Sequence, residues 1–447
     1  MFFKQFVDED LGCASYLVGD DETHQAVVVD PSFAIEPYLD EASRRELRIV
    51  AVLETHTHAD HVSGHGRLAL EHGIPVRIHA AAEPAYPFEP FEDGSAVDLG
   101  STRIDVIHTP GHRPEHCAFA VADRARSEEP WLVLTGDSLF VGDAARPDLA
   151  VEAREGAEGL FASLRRLLEL ADGVEIYPGH VAGSLCGAAM SPKGSTTVGF
   201  ERRFNPMLAL ATVEEFVAAS TAATATPRPP NMEEIVELNR GPFVGAPSPL
   251  AAVEEADGAV VLDVRHADAF AAGHVAGAIN IPLSTSSFGT KAGFVLHPDD
   301  RVVIHADSAE QAELAAGRLH SVGFLDLAGR LDDPETPVRT EPVELDELER
   351  LVSENAVVLL DVREKAERDD GYIAGSLNVP YRLLRELGAD LVDGRPVVTI
   401  CESGARAGIA ASVLTAQGIE ARPMLHGGIR RWAESGHETV HFRRCGT

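Results

Sequence analysis

The sequence predicts an α/β protein of more than one domain, and two patterns carry that prediction. In the first 245 residues, short apolar β runs repeatedly end in a histidine or an aspartate beside a glycine or a turn. Repeated strands whose polar ends meet at one edge predict a layered α/β domain with its site on that edge. In the remaining residues, a segment occurs twice, which predicts two copies of one small α/β unit.

The elements of the first part can be placed in order along the chain. The predicted strands are 26–30, 49–56, 76–80, 102–112, 116–122, 131–137 and 174–180. Helical stretches such as 156–171 lie between them. A helix that starts near residue 211 passes into an Ala/Thr/Pro stretch, and 241–249 is typical of a linker. We therefore place the first domain at 1–245.

The repeat defines the second part. AVVLDVRHADAFAAGHVAGAINIPL (259–283) matches AVVLLDVREKAERDDGYIAGSLNVPY (356–381), and 301–324 matches 396–419. Each copy is predicted as a strand, a turn, helical stretches, a second buried strand, a tight loop and a helix. The two copies give domains at 246–340 and 341–447.

Composition excludes several classes of partner and location. The 447 residues carry 71 acidic against 38 basic side chains, and a net charge of −33 repels nucleic acid. No run approaches the roughly 18 apolar residues of a membrane span, and the N-terminus lacks a signal-peptide pattern. Five cysteines, an odd and sparse number, argue against a disulfide framework and for a reducing compartment. We expect a cytoplasmic protein without membrane contact, and a homo-oligomer.

Histidine is the informative residue of the first domain. The motif THTHADH (55–61) follows an apolar strand and carries His56, His58, Asp60 and His61. Imidazoles and a carboxylate packed this densely are costly to bury without a counter-charge, and a metal cation is the economical explanation. Later strand ends add three further donors, His112, Asp137 and His180.

The order HxHxDH…H…D…H resembles the ligand signature of the metallo-β-lactamase superfamily. That resemblance implies an αββα sandwich with its metal at one edge of the sheets. All seven residues would suit a hydrolase that activates water between two zinc ions. The persulfide dioxygenases of this fold carry the same residues, and the resemblance to them implies one ferrous iron held by His56, His112 and Asp137. His58, Asp60, His61 and His180 would then support those ligands or serve as alternative ones.

Further motifs favour the dioxygenase interpretation. TPGHRPEHCAF (109–119), SLFVGDAARPDL (138–149), PGHVAGSLCG (178–187) and GSTTVGFERRFNP (194–206) resemble the fusions of a persulfide dioxygenase with rhodanese domains. Many hydrolases of the fold instead read TPGHTxGH, from which Arg113 and Glu115 depart. A glyoxalase II would carry a helical thioester-binding tail where this chain carries the repeat.

Some residues are candidates for handling the substrate. Arg146 follows the Asp137 strand and is our candidate for binding substrate carboxylates, with Arg202 and Arg203 as further candidates. Cys186 follows His180 by six residues, and it is either a sulfur relay near the metal or a packed small hydrophobe.

The second repeat copy carries the motif CESGARAG (401–408) between a buried strand and a helix. Such a loop aims backbone N–H groups at the sulfur of Cys401 beside a helix N-terminus, an arrangement that can hold an anionic persulfide. The unit resembles the rhodanese family, which implies that Cys401 carries the persulfide and that Arg406 shapes the loop. Glu402 stands where many thiosulfate sulfurtransferases have a basic residue, which argues against thiosulfate as the preferred donor.

The first copy has lost these chemical groups. Alignment of the copies places Ala306 opposite Cys401 and Gln311 opposite Arg406. We therefore expect an inactive rhodanese-like domain that serves as a spacer or a docking module.

The resemblance implies a function for the whole chain. The metal domain would convert a low-molecular-weight persulfide, such as glutathione persulfide, with O2 and water into thiol and sulfite at one Fe(II) per chain. The active rhodanese would interconvert thiosulfate, persulfide and sulfite through Cys401. One alternative is a dizinc thioester hydrolase with an accessory sulfurtransferase. The other is a non-enzymatic persulfide carrier or sensor whose metal is structural.

Overall fold

The computed structural model describes residues 1–147, 152–181, 191–223, 227–388 and 394–442. The chain divides into two compact units, one of Met1–Pro247 with His320–Gly323 and the other of Ser248–Leu319 with Phe324–Thr447. The predicted domain boundaries at 245 and 340 stay predictions. Among the described residues, none of the helices has the length and apolar character needed to cross a membrane.

The first unit contains two six-stranded sheets. The first sheet has the order β1 (Phe2–Val7), β2 (Ala14–Gly19), β3 (Gln25–Val29), β4 (Arg48–Leu53), β5 (Val76–His79) and β6 (Glu89–Phe91). The second sheet has the order β14 (Thr196–Thr197), β13 (Glu175–Pro178), β10 (Leu132–Gly136), β9 (Cys117–Asp123), β8 (Thr102–His108) and β7 (Ala96–Asp98). A separate pair is formed by β11 (Leu139–Phe140) and β12 (Asp143–Ala144). The helices are α1 (Glu36–Arg44), α2 (His65–His72), α3 (Ala153–Leu167), α4 (Val198–Phe204), α5 (Val213–Ala223) and α6 (Met232–Arg240).

Alternation along the strands explains the layering of this unit. In β3, Val27 and Val29 face the core between the sheets, where they join Phe119 of β9. Val28 points the other way and packs with residues of α1 and α2. On the far face of the second sheet, β9 and β10 pack with residues of α3 and α5. Helices therefore cover both outer faces, and the predicted αββα sandwich is confirmed.

The strands stop before the polar residues that the sequence placed at their ends. β4 ends at Leu53, ahead of His56, and β8 ends at His108, ahead of His112. A donor inside a strand would point to a sheet face, whereas a donor in the following loop can turn over the edge. β3 and β4 run parallel, as do β10 and β13, so these loops lie at the carboxyl edges of both sheets.

The second unit contains two parallel sheets. The first has the order β15 (Ala252–Val253), β19 (Leu327–Leu331), β18 (Val302–His305), β16 (Val260–Asp263) and β17 (Ile279–Asn280). The second has the order β21 (Leu377–Asn378), β20 (Val358–Asp361), β22 (Val397–Ile400) and β23 (Ala421–Pro423). The helices are α7 (Ala267–Ala272), α8 (Phe288–Val295), α9 (Ala309–Ser321), α10 (Leu345–Ser353), α11 (Lys365–Asp369), α12 (Leu384–Leu387), α13 (Ala405–Ala416) and α14 (Gly428–Glu434).

Register shows that the two sheets are copies of one plan. Asp263 pairs with His305 across β16 and β18, and Asp361 pairs with Ile400 across β20 and β22. Each copy therefore has a buried central strand followed by a loop and a helix, which is the arrangement predicted from the repeat. The loops after β18 and β22 occupy equivalent places.

Candidate metal centre and sulfur-transfer loop

Three of the predicted donors converge at the sheet edge. His56, His112 and Asp137 each place one potential ligand atom within 4.8 Å of the other two. All three side chains are at most 2% exposed. Two imidazoles and a carboxylate buried together suit a cation that binds nitrogen and oxygen donors.

Hydrogen bonds decide which ring nitrogens can serve as ligands. His112 Nδ1 donates to the backbone carbonyl oxygen of Arg146 over 3.0 Å, so Nε2 keeps its lone pair. His56 Nδ1 lies 2.9 Å from Thr55 Oγ1, and that hydroxyl donates to Asp30 Oδ2 over 2.8 Å. Burial lowers the pKa of both rings, which keeps them as neutral bases.

Asp137 is positioned by two histidines. Its Oδ1 lies 2.8 Å from His180 Nδ1, and its backbone N–H donates to His116 Nε2 over 2.9 Å. His116 is fully buried, and burial lowers its pKa to about 3, so its Nε2 accepts this bond. The preceding Gly136 has φ +47°, and a Cβ there would lie 2.7 Å from His116 Nε2. Glycine is therefore the residue that lets the strand turn into the centre.

His58 belongs to a different cluster from the other predicted ligands. Its Nε2 lies 3.2 Å from Glu54 Oε2 and 3.4 Å from Asp30 Oδ1, and these three residues form a second donor group. Burial opposes the charged form of His58, but the hydrogen bonds to Asp30 and Glu54 outweigh it and raise its pKa well above the usual value. Glu54 also accepts from Ser63 Oγ over 2.6 Å. His58 is thus held by carboxylates on its Nε2 side.

Asp60, His61 and His180 surround a buried thiol. His180 Nε2 lies 2.6 Å from Asp60 Oδ2, and His61 Nδ1 lies 3.1 Å from Asp60 Oδ1. Cys13 Sγ lies 3.1 Å from Asp60 Oδ2, and Cys13, Asp60 and His61 form a third donor group. Burial, and then the Asp60 carboxylate, raise the pKa of Cys13 well above its usual range.

Six of the seven sequence-predicted ligands therefore divide among three donor groups, and the seventh, His180, contacts both Asp60 and Asp137. Four residues that contact the predicted ligands were not predicted as part of the site: Asp30, Glu54, His116 and Cys13. Asp30 and Glu54 are the polar residues that follow the apolar runs 26–29 and 51–53, and this position could have identified them as candidates. His116 lies within the motif 109–119, close to His112. Cys13 gave no comparable signal, because it is one thiol in an apolar segment.

The residues predicted to bind substrate differ in burial and in their contacts. Arg146 is buried, and its carbonyl oxygen is the acceptor that orients His112. Arg202 and Arg203 lie on α4 with exposed side chains; Arg202 is ion-paired with Asp172, and Arg203 lies over the ring of Phe204. Within the described part of the chain, neither arginine hydrogen-bonds or ion-pairs with His56, His112 or Asp137. Cys186 lies outside the described residues.

The Cys401 loop lies between β22 and α13, as the motif predicts. Cys401 is 1% exposed, and its Sγ accepts a hydrogen bond from the Gly404 backbone N–H over 3.1 Å. Both terminal nitrogens of Arg406 donate to the Glu367 carboxylate, over 2.7 and 2.6 Å, and this pairing raises the pKa of Arg406. Glu402 accepts from Arg363 over 3.2 Å. Arg406 therefore braces the loop through a bidentate ion pair.

The equivalent loop of the first copy differs in composition, while the helix that follows it begins one residue earlier. Ala306 directly follows β18, as Cys401 follows β22. The three residues 306–308 precede α9, whereas the four residues 401–404 precede α13. Gln311 is exposed on α9. This loop has no sulfur nucleophile, and Gln311 offers no guanidinium group to pair with a carboxylate.

Comparisons with known proteins agree with this architecture. Residues 8–180 match the family model of the metallo-beta-lactamase superfamily, and residues 247–333 and 344–435 match that of the rhodanese-like domain. A solved metallo-beta-lactamase from Staphylococcus aureus subsp. aureus COL is 28% identical with a TM-score of 0.67, and the match covers 74% of this chain and 98% of that one.

Two curated relatives have names that indicate chemistry. The chain is 31% identical over 218 residues to the protein named persulfide dioxygenase ETHE1, mitochondrial, from Homo sapiens, covering 47% of this chain and 76% of that protein. It is 29% identical over 220 residues to a probable hydroxyacylglutathione hydrolase of Schizosaccharomyces pombe, covering 43% and 81%.

The fold and the donor set define a metal-dependent member of the metallo-β-lactamase superfamily, and the chain belongs to that superfamily through its N-terminal part. Two rhodanese-like domains follow in the same chain, and the relatives of the metal domain include persulfide dioxygenases.

The role of His116 can be tested by removing its acceptor nitrogen. In His116→Phe the Asp137 backbone N–H loses its partner, so metal affinity at the His56–His112–Asp137 group should fall by about 10–100-fold while the fold is retained. An anaerobic Fe(II) titration measures the affinity, and circular dichroism reports the fold. The matched control is the exposed His24→Asn, which should bind Fe(II) like the parent. Equal affinity in His116→Phe would contradict this role.

The Cys401 loop requires a left-handed residue at Gly404. Gly404 has φ +110°, and a Cβ there would overlap the backbone oxygen of Leu425. Gly404→Ala should therefore abolish persulfide formation on Cys401 and leave metal binding intact, as measured by mass spectrometry and metal analysis. The control is Gly418→Ala: Gly418 has φ +80°, and a Cβ added there meets no atom within 4 Å. This variant should lose about 1–2 kcal/mol of stability and still form the persulfide on Cys401. Normal persulfide formation in Gly404→Ala would show that the loop tolerates another conformation.

Proposed function

We propose that this protein is a persulfide dioxygenase joined to a sulfurtransferase. The metal domain oxidises a low-molecular-weight thiol persulfide, such as glutathione persulfide, according to RSSH + O2 + H2O → RSH + SO3²⁻ + 2H⁺. One Fe(II) per chain is held by His56, His112 and Asp137. The rhodanese part moves sulfur between thiosulfate and thiols through Cys401. We further propose domains at 1–245, 246–340 and 341–447, in a cytoplasmic protein.

The observation that carries this proposal is the composition of the first donor group. It contains two histidines and one aspartate, while His58 lies in the separate group with Asp30 and Glu54. Two imidazoles and one carboxylate with open positions are the ligand set of non-haem iron oxygenases. When bound, Fe(II) would supply open positions that bring O2 and the persulfide sulfur together, and the four electrons that reduce O2 would come from that sulfur.

The protein's own residues hold the geometry and limit water. Arg146, Thr55 and His180 hydrogen-bond the three ligands, so each donor atom is fixed before metal arrives. Arg113 donates to Glu115 Oε1 over 2.7 Å, and that oxygen also accepts from the Thr57 backbone N–H over 3.2 Å. Through this buried ion pair, the segment 109–119 is hydrogen-bonded to the backbone of residues 56–58. Arg146 remains our candidate for binding substrate carboxylates.

The rhodanese reaction balances through one thiol. Cys401–SH and S2O3²⁻ give Cys401–S–SH and SO3²⁻: a new S–S bond forms as the S–S bond of thiosulfate breaks. A thiol RSH then takes the outer sulfur as RSSH and regenerates Cys401–SH. RSSH is the substrate of the metal domain, so the product of one reaction feeds the other. The bidentate Arg406–Glu367 pair supports the loop in which both steps occur.

A dizinc thioester hydrolase is the second candidate. Asp60 and His61 belong to a further donor group, and one relative is named as a probable hydroxyacylglutathione hydrolase. Two zinc ions could occupy adjacent groups and activate water between them. Metal identity and O2 consumption separate the two functions.

The metal proposal predicts which substitutions remove iron. His112→Ala and Asp137→Ala each delete a ligand, so anaerobically purified variants should lose iron and all O2 uptake with glutathione persulfide. His58→Gln changes a residue of the Asp30–Glu54–His58 donor group, and this variant should still bind one iron per chain. Elemental analysis and an oxygen electrode measure both quantities. Two zinc ions per chain with thioester hydrolysis and no O2 uptake would overturn the dioxygenase proposal.

The two reactions should be separable by one substitution. Cys401→Ser removes the sulfur nucleophile in the second unit, so sulfur transfer from thiosulfate should stop, while O2 uptake on added persulfide should stay close to that of the parent. The measurements are thiosulfate consumption and O2 uptake on the same preparation. Equal loss of both activities would contradict two independent sites.

A further inference from the structure

A cavity lies beside the Cys401 loop in the second unit. It has a volume of about 550 Å³, and Glu402, the residue after Cys401, forms part of its wall. A second wall is formed by α14, which is bonded to the loop because the Ile429 backbone N–H donates to the Cys401 carbonyl oxygen over 2.9 Å. A molecule in this cavity therefore lies next to the sulfur-transfer loop. The proposed rhodanese reaction assigns no role to it.

The charged side chains that contact the loop are already paired. Arg363 donates to Asp361 over 2.8 Å and to Glu402 over 3.2 Å. Glu367, which also lines the cavity, accepts from both terminal nitrogens of Arg406. Neither guanidinium group is therefore available to bind a dianion such as thiosulfate in this cavity.

Charged side chains elsewhere in the lining have no such partners. Arg430 and Glu434 line the cavity from α14, and Asp370 lines it from the end of α11; all three are exposed. Arg430 and Glu434 are four residues apart on one helix, a spacing that allows an ion pair. In the part of the chain that the structure describes, however, none of the three side chains makes a hydrogen bond or an ion pair. The cavity thus presents a cation and carboxylates that are available to a ligand.

A backbone bridge fixes another wall of the cavity. Tyr372 and Val440 exchange two N–H···O bonds, over 3.0 and 2.8 Å. Thr439 and His441 flank this bridge and line the cavity. The walls are therefore held by backbone bonds before a ligand arrives. The volume of about 550 Å³ lies within the range of small-molecule sites, which is roughly 300–1,000 Å³.

We propose that this cavity binds the body of a thiol that carries an α-amino acid group, with an ammonium and a carboxylate on one carbon, and directs its sulfur to Cys401. Arg430 binds the carboxylate, and Glu434 with Asp370 binds the ammonium. Cysteine and γ-glutamyl peptide thiols such as glutathione carry this group, whereas 2-mercaptoethanol carries neither charge.

This inference rests on the sulfur-transfer reaction proposed above and names its acceptor. The sulfur of the bound thiol attacks the outer sulfur of Cys401–S–SH. A new S–S bond forms in RSSH as the S–S bond at Cys401 breaks, and the thiol proton passes to the Cys401 sulfur. The overall step is Cys401–S–SH + RSH → Cys401–SH + RSSH, with no other oxidant or reductant.

The test follows the outer sulfur of Cys401 in a single turnover. The full-length protein is loaded with thiosulfate, freed of the excess and mixed with a thiol anaerobically, so that O2 consumes no product. Mass spectrometry measures the loss of the Cys401 persulfide as the thiol concentration is varied. Arg430→Gln should raise the half-saturating glutathione concentration about tenfold and leave both the limiting rate and the transfer to 2-mercaptoethanol unchanged. An equal effect on both thiols, or no effect on glutathione, would overturn the proposal.

Matched variants separate recognition of the two charges. Arg431→Gln makes the same charge change at the next residue of α14, whose side chain donates to the His426 carbonyl oxygen and does not line the cavity. It should behave like the parent with every thiol. Glu434→Gln should weaken saturation by glutathione but not by 3-mercaptopropionate, which carries a carboxylate and no ammonium. If Glu434→Gln affects both thiols alike, the ammonium assignment is wrong.

A second measurement does not depend on sulfur transfer. S-methylglutathione carries the amino acid group but no thiol, and in the proposed orientation its methylthio group lies at Cys401. It should slow alkylation of Cys401 by iodoacetamide, as measured by mass spectrometry, and Arg430→Gln should need about tenfold more of it for equal protection. Protection in a protein that forms no Cys401 persulfide would support the cavity and refute the sulfurtransferase function. Lack of protection in a protein that does transfer sulfur would refute the cavity alone.

Discussion

Buried imidazoles and carboxylates compensate one another at one edge of the sandwich, and the rest of the metal domain depends on that compensation. The buried histidines are His56, His58, His61, His112, His116 and His180; the buried carboxylates are Asp30, Glu54 and Asp137, and Asp60 is partly buried. An isolated buried charge costs several kcal/mol, so each carboxylate must be paired, hydrogen-bonded or metal-bound. The sheets satisfy this need by bringing the loops after parallel strands to one place. The apolar core between the sheets fixes those strands, and thereby fixes the polar edge.

Hydrogen bonding at this edge selects among chemistries that the same residues could support. A backbone carbonyl holds His112 Nδ1, so His112 presents Nε2 to the centre. His58 instead has its Nε2 against two carboxylates, while its ring lies 4.3 Å from that of His56. The ligand set that we propose for iron takes only His56 from the motif HxHxDH. Residues with no chemical role of their own, such as Thr55 and Gly136, control which donors meet.

The sequence predicted the architecture and the donors, but not the contacts that position them. His112 and Asp137 end apolar runs, and runs of that kind identify strands and edges. His116 acts on the backbone of a residue 21 positions away, and Cys13 meets Asp60 across 47 positions. No local pattern encodes either pairing, because each depends on how strands are ordered in a sheet. The predicted strands 49–56 and 102–112 extend too far at their carboxyl ends, because β4 ends at Leu53 and β8 at His108. His56 and His112 lie in the loops that follow, where their side chains can face the centre.

The repeated unit separates what the rhodanese-like fold needs from what its chemistry needs. Both copies keep an arginine paired with an aspartate two residues earlier: Arg265 with Asp263 over 2.6 Å and Arg363 with Asp361 over 2.8 Å. Both also keep an asparagine that donates to the carbonyl of that aspartate. The copy without Cys401 retains these bonds, so they stabilise the strand ends. The sulfur chemistry that we propose depends instead on the thiol of Cys401 and on the braced Arg406, and the first copy keeps its fold without either.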